Sequence, residues 1–205
     1  MQVEHPAGAR ACAAAIGALL AAAVQLDDAA LLAPSRCPGW SRLNALMHVH
    51  LGLQDMLLGM VSPADAEPDV DAASYWRTDP PSNDASAEPI DHIGFLHRFT
   101  TAYRRPRDAV GHLRHTAGTV AEAVERMAPG RVLFQGHVLT TGDFLATWAT
   151  EVAVHHLDLH LDPDVPGPDP EALRLARQTA EALAGGPIDA ANDAEATLRG
   201  WDRVE

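Results

Sequence analysis

Residues 140–161 read TTGDFLATWATEVAVHHLDLHL, and the way this stretch folds decides the architecture. Thr140, with Asp143 three residues later, resembles a capping box, and no proline follows until Pro163. The spacing predicts a helix from Thr140 to about Leu161. Placed at ~100° per residue, Phe144, Leu145, Trp148, Val152 and Leu159 form an apolar sector. Ala146, Ala149, Ala153 and His160 lie opposite. Glu151 and His155 fall within or beside the apolar sector, with Asp158 at its edge. A carboxylate beside aromatic side chains is costly unless it is paired or holds a metal ion. The stretch therefore predicts a core helix that carries polar chemistry.

Working outward, Pro6 to Gln25 is small, apolar and free of internal proline, as expected of a first helix. Asp27 to Gly39 is a connection, and Ser41 can cap a second helix running to about Met60. Val61 to Glu88 is a long polar loop rich in proline, although Tyr75 and Trp76 in its middle must pack on something. Ile90 to Met127 predicts one broken helix, with Pro106 at the break. Arg131 to Leu139 is ambiguous. After the run Pro163, Pro166, Pro168 and Pro170, a further helix is expected from about Asp169 to Ala184. A polar tail from about residue 185 contains Trp201. The pattern predicts an all-α fold: an antiparallel four-helix bundle with long crossover loops, an additional C-terminal helix, and a single domain over residues 1–205.

Composition sets the partners. The chain has a formal charge of -13, so its surface repels phosphate backbones and anionic lipid, and neither nucleic acid nor membrane is expected. All fifteen basic residues are arginine. Aromatic residues are only 5% while alanine is abundant, which favours helices over sheet. Cys12 and Cys37 do not make a disulfide framework, and a cytoplasmic location is expected. The apolar stretch Ala11 to Val24 is too short and alanine-rich for a bilayer span and fits a buried helix.

At spacing i, i+4, Glu151 and His155 share one helix face with Cβ atoms ~6 Å apart, close enough to hold one ion. Zinc accepts nitrogen and oxygen donors of this kind, with a third ligand supplied by another helix. A Glu and a His hydrogen-bonded to each other, or to Arg, inside a bundle fit the same spacing. His156 and His160 repeat the interval but lie on the alanine side, where a solvent-facing or helix-packing role is expected. On the second helix His48 and His50 stand ~200° apart, so one of them faces a given site. Leu43, Leu46, Leu53 and Leu57 centre near His50, whereas His48 sits with Ala45, Gly52 and Asp55; periodicity favours His50 as the inward residue. His92, His97, His112, His115 and His137 read as structural or exposed. Cys12 and Cys37 read as small buried residues, and Arg104, Arg105 and Arg107 as a solvated cluster.

Cys37-Pro38-Gly39-Trp40 is followed eight residues after the tryptophan by His48, and later comes Glu151-x-x-x-His155-x-x-Asp158, with Tyr75-Trp76-Arg77 between them. This combination resembles the DinB-like helical bundles, in the branch named for the mycothiol-dependent maleylpyruvate isomerase N-terminal domain. The resemblance covers nearly the whole chain. It implies His48, Glu151 and His155 as the metal ligands, usually for zinc, and so replaces His50 by His48. It also implies that Asp158 orients a ligand. Trp76, Arg77 and Trp148 are the candidate substrate contacts. Relatives often carry an arginine shortly before the glutamate, where this chain has Trp148. A carboxylate substrate would then need Arg77, Arg104 or Arg199. The larger isomerases have a further C-terminal domain, which is not expected here.

The implied function is a metal-dependent thiol enzyme, an S-transferase or cis-trans isomerase, with mycothiol as cosubstrate and a small electrophile as substrate. A noncatalytic metal-containing ligand-binding protein and a metal-dependent hydrolase are the alternatives. A homodimer is expected by analogy with bundles of this type.

Overall fold

Each helix begins where the chemistry of its first turn allows. In α1 (His5–Ala23) Pro6 occupies a first-turn position that needs no amide donor. The connection from Asp27 to Gly39 holds a five-residue helix, α2 (Asp28–Leu32), because the Asp27 carboxylate accepts from the Ala30 amide at 2.7 Å. Ser41 and Asn44 cap α3 (Arg42–Met60) reciprocally, each side chain accepting from the other's amide. The computed structural model describes residues 1–78 and 89–202, so 79–88 of the long loop lie outside the described residues. Within that loop Ser74–Arg77 forms a short 3-10 helix.

The expected broken helix is two helices, α4 (Pro89–Thr101) and α5 (Pro106–Arg126). Pro106 starts the second of them instead of kinking a continuous one. The ambiguous segment is an antiparallel hairpin, β1 (Arg131–Phe134) with β2 (His137–Thr140). Its two-residue turn, Gln135-Gly136, has positive φ at both positions, as a type I′ turn requires. The hairpin gathers the preceding loop: the Leu133 amide donates to the Ser62 carbonyl at 2.8 Å, and the Val138 amide to the Asp69 carboxylate at 2.6 Å.

Thr140 caps α6 (Thr141–Asp158), accepting from the Asp143 amide at 3.1 Å. Asp169 caps α7 (Pro170–Ala184), which ends on Gly185 at φ 77. The tail expected after residue 185 is in part ordered: Asn192 caps α8 (Asp193–Gly200), and Trp201 packs edge-on against Trp76 with ring centroids 4.9 Å apart.

The architecture is helical apart from the hairpin. Helix α6 lies at its centre, packing on α1, α7 and α3, while α5 packs on α1 and α3. Phe144, Leu145, Val152 and Leu159 are fully buried, as the apolar sector predicted. The alanine side of α6 is buried as well, because Ala146, Ala149 and Ala153 allow neighbouring helices to approach closely. Helix α1 is long and apolar enough to cross a membrane, and here Ala11, Cys12, Ala15, Ile16 and Leu19 bury one of its faces in the core.

Helix α1 and the residues before it meet α6 closely. A Cβ on Gly8 would lie 2.5 Å from the Gly142 carbonyl oxygen, and a Cβ on Gly142 would overlap the Val3 carbonyl oxygen. Only glycine fits at either position.

Candidate metal centre

Helices α3 and α6 bring three donors to one point. His48 Nε2 lies 3.0 Å from Glu151 Oε1, and His155 Nε2 lies 3.2 Å from the same oxygen. All three donor atoms are within 4.8 Å of one another. Donors ~2.1 Å from one tetrahedral zinc stand ~3.4 Å apart, close to these separations, and two imidazole nitrogens with one carboxylate oxygen form a set that zinc accepts. The side chain of His155 is only 8% exposed, whereas those of His48 and Glu151 are 28% and 21% exposed. The cluster is thus closed on the His155 side and open on the other.

Burial alone would push the Glu151 carboxyl up. The adjacent imidazoles, His155 foremost, outweigh it and hold the carboxyl far below the ordinary carboxylate range. Burial likewise opposes a charged His155, but the Glu151 charge, with contacts to Asp158 and Cys37, raises it well above an ordinary histidine. His155 has a carboxylate at each nitrogen: Glu151 at Nε2, and Asp158 Oδ2 at 3.0 Å from Nδ1.

The turn before α3 supplies the surrounding walls. Gly39 at φ 79 permits a tight turn in which the Trp40 amide donates to the Cys37 carbonyl at 3.0 Å. That turn sets the Trp40 ring 5.1 Å from His48 and 6.2 Å from His155. Cys37, a small buried residue as expected, donates its thiol to Asp158 Oδ2 at 3.2 Å. Cys37, His155 and Asp158 form a second close group of donors, with His155 common to both. From α4, His92 Nε2 approaches His48 Nδ1 at 3.3 Å. Both ring nitrogens of His48 are thus engaged, Nε2 by Glu151 and Nδ1 by His92.

The open side leads into a pocket of about 300 Å³. Tyr75, Trp76 and Trp148 give it aromatic walls, and Asp55, Glu151, His48 and His92 line it as well. The tip of the hairpin positions one wall, since Tyr75 donates its hydroxyl to the Gln135 side chain at 2.6 Å. Gly52 makes room for the opposite wall: a Cβ there would stand 3.0 Å from the Trp148 ring.

A family comparison now bears on the site: the mycothiol maleylpyruvate isomerase N-terminal domain matches residues 12–160. The chain belongs to that family. No curated protein matches the chain. A crystal structure of a histidine-to-alanine mutant of mycothiol-dependent maleylpyruvate isomerase has a TM-score of 0.59 at 14% identity. The match covers 91% of this chain and 74% of that one, and at such identity the likeness is one of fold. The shared fold is a mostly helical one. Within the matched family segment lie the Cys37–Trp40 turn, His48, Glu151, His155 and Asp158.

The remaining candidates separate. Trp76 and Trp148 line the pocket, but Arg77 is turned away, its guanidinium donating to the Ala182 carbonyl at 2.9 Å. Arg199 is engaged by the Asp189 carbonyl and Glu195, and Arg104 is not among the pocket residues. His50 is completely buried and faces His112, with ring centroids 4.3 Å apart. His156 is buried with Nε2 3.0 Å from the Pro166 carbonyl in the loop before α7, neither solvent-facing nor packed on a helix through that contact. His92, Asp55 and Gln135 had no sequence reading as site residues. Asp55 follows His48 by seven residues, two helical turns, and the sequence reading put it on the His48 face without giving it a role. Nothing local marks His92 or Gln135.

Proposed function

We propose that this family member is a metal-dependent thiol enzyme that uses mycothiol and a small electrophile, acting as an isomerase or an S-transferase. The observation that carries the reading is the convergence of His48, Glu151 and His155 at the open end of an aromatic pocket, in a chain of the mycothiol maleylpyruvate isomerase N-terminal domain family. A zinc or similar divalent ion held by these three side chains supplies a Lewis acid that favours the ionised form of a thiol.

The chain's own residues do the rest. Glu151 contributes the one full negative charge among the three donors and stays ionised throughout the physiological range. Asp158 faces Nδ1 of His155 and fixes the ring so that Nε2 points to the centre. His92 does the same for His48 through Nδ1. Trp40 shields the buried side from water, while Tyr75, Trp76 and Trp148 offer apolar surface to the body of the electrophile. In transfer, the thiolate sulfur forms a bond to carbon as a leaving group departs. In isomerisation, the sulfur adds to an activated double bond, the bond rotates, and the same sulfur leaves. Neither outcome needs an external oxidant or reductant. Both cysteines are free thiols, in keeping with a reducing cytoplasm.

The test pairs metal content with thiol chemistry. Purified protein is expected to hold a divalent ion, to lose thermal stability with chelator, and to conjugate or isomerise electrophiles only with mycothiol present. Glu151→Ala and His155→Ala should sharply lower metal content, and His156→Ala should not. Chelator-sensitive stability without turnover on any electrophile would make this a binding protein, and turnover in water alone would make it a hydrolase. Equal metal content in all three variants would defeat the ligand assignment.

A further inference from the structure

On the thiol-enzyme reading just given, we infer that the pocket selects an electrophile that bears no carboxylate, with its apolar body between the aromatic walls and its polar end toward Asp55. The chain contains no lysine, so any permanent cation must be one of fifteen arginines. None of them is among the described residues that line the pocket. Arg77, the nearest in sequence to the aromatic wall, is committed to the carbonyls of Ala182 and Leu183 at the end of α7. Arg131, on the hairpin that carries Gln135, is committed to Glu67 and the carbonyls of Asp65 and Ala66.

What the pocket does present is two carboxylates, beside the imidazoles of His48 and His92. Asp55 and Glu151 both line it, in the same pocket as Tyr75. A divalent ion at the three donors offsets Glu151, and a thiolate partner takes up the remaining positive charge. Asp55 is then left uncompensated. An incoming carboxylate meets no arginine fork of the kind that usually receives it, and one like charge. Asp55 is exposed to water, so its effect is screened and graded instead of absolute.

The aromatic walls favour a flat or apolar body. Trp148 is nearly buried, Trp76 is braced by Trp201, and Tyr75 is fixed by Gln135. These are rigid surfaces that need no ordering on binding.

Binding tests the inference independently of turnover. Benzylammonium, benzyl alcohol and benzoate have similar bodies and differ in charge. Their affinities would be measured by ligand-observed NMR on the zinc-loaded protein saturated with mycothiol, which keeps benzoate off the metal. Benzoate is expected to bind at least ~10-fold more weakly than benzyl alcohol, and benzylammonium at least as tightly as the alcohol. Asp55→Asn should narrow the benzylammonium-to-benzoate ratio several-fold. Benzoate binding as tightly as benzyl alcohol, an unchanged ratio in Asp55→Asn, or no binding of any of the three would overturn the inference. The expected order with no thiol turnover would sink the proposed enzyme and leave the pocket's charge preference standing. Turnover with the opposite order would do the reverse.

Discussion

Two histidines on α3, only two residues apart, live in different chemistry. His48 is partly exposed at the mouth of a pocket, touching Glu151 on one nitrogen and His92 on the other. His50 is wholly buried on the other side of the helix, stacked near Phe99 and against His112. Burial, and then the neighbouring His112, push His50 down to about 4, so it stays neutral at physiological pH, while His48 faces the Glu151 carboxylate at 3.0 Å. The difference teaches that depth in the core and usefulness to a ligand are separate properties. An ion needs donors that reach it and an open position, and the deepest side of a helix provides no such opening.

The sharpest way to break the comparison is to remove each histidine in turn. On the proposed ligand set, His48→Ala should weaken zinc binding by more than ~100-fold, whereas His50→Phe should leave it within about threefold. Competitive zinc titration reads both, and a reversed ranking would return the site to His50. A smaller effect comes from residues that touch the ligands. Asp158→Asn and His92→Ala should each weaken zinc by about 10-fold to 100-fold while the fold's circular dichroism is retained. An unchanged affinity in both would mean that the rings are held by packing alone.

The smallest effect concerns His50 itself. Its folded pKa lies below that of an unfolded histidine, so the unfolded chain binds the extra proton and stability falls as pH drops from about 6.5 toward 4. Between pH 7 and pH 5, the metal-free wild-type protein should lose on the order of 1–2 kcal/mol more than metal-free His50→Phe, measured by urea denaturation. Parallel losses in the two proteins would show that His50 is not the group that resists protonation.

Much of this was legible in the chain. Thr140 with Asp143 and Ser41 with Asn44 mark the starts of the two helices that carry the donors, and both side chains do cap. Apolar periodicity located the buried side of α6 but also pointed to His50, because a sector centred on leucine reports burial and nothing else. His48 was reached only through the family resemblance that the Cys37–Trp40 motif carries, and Gly39 gives that motif its physical sense by turning Trp40 onto the imidazoles. The hairpin was not legible: strands of four residues carry little periodicity, and their partners include Ser62 and Asp69 in a distant loop. Helix α8 did have a local mark in Asn192 followed three residues later by Glu195, which was passed over in a polar stretch. His92 required knowledge of how α4 lies on α3, and no residue near it announces that contact.

The glycine crossing between α1 and α6 has a consequence at the other end of the molecule. With no slack at Gly8 and Gly142, α6 hangs from that point like a ruler from its zero mark. Glu151 lies nine residues along it, ~13 Å at ~1.5 Å per residue. Glu151 and His155 keep their mutual interval because one rod carries both, but their alignment with His48 on a different rod is fixed from afar. Two hydrogen atoms standing in for side chains at the crossing thus bear on where the three donors can meet.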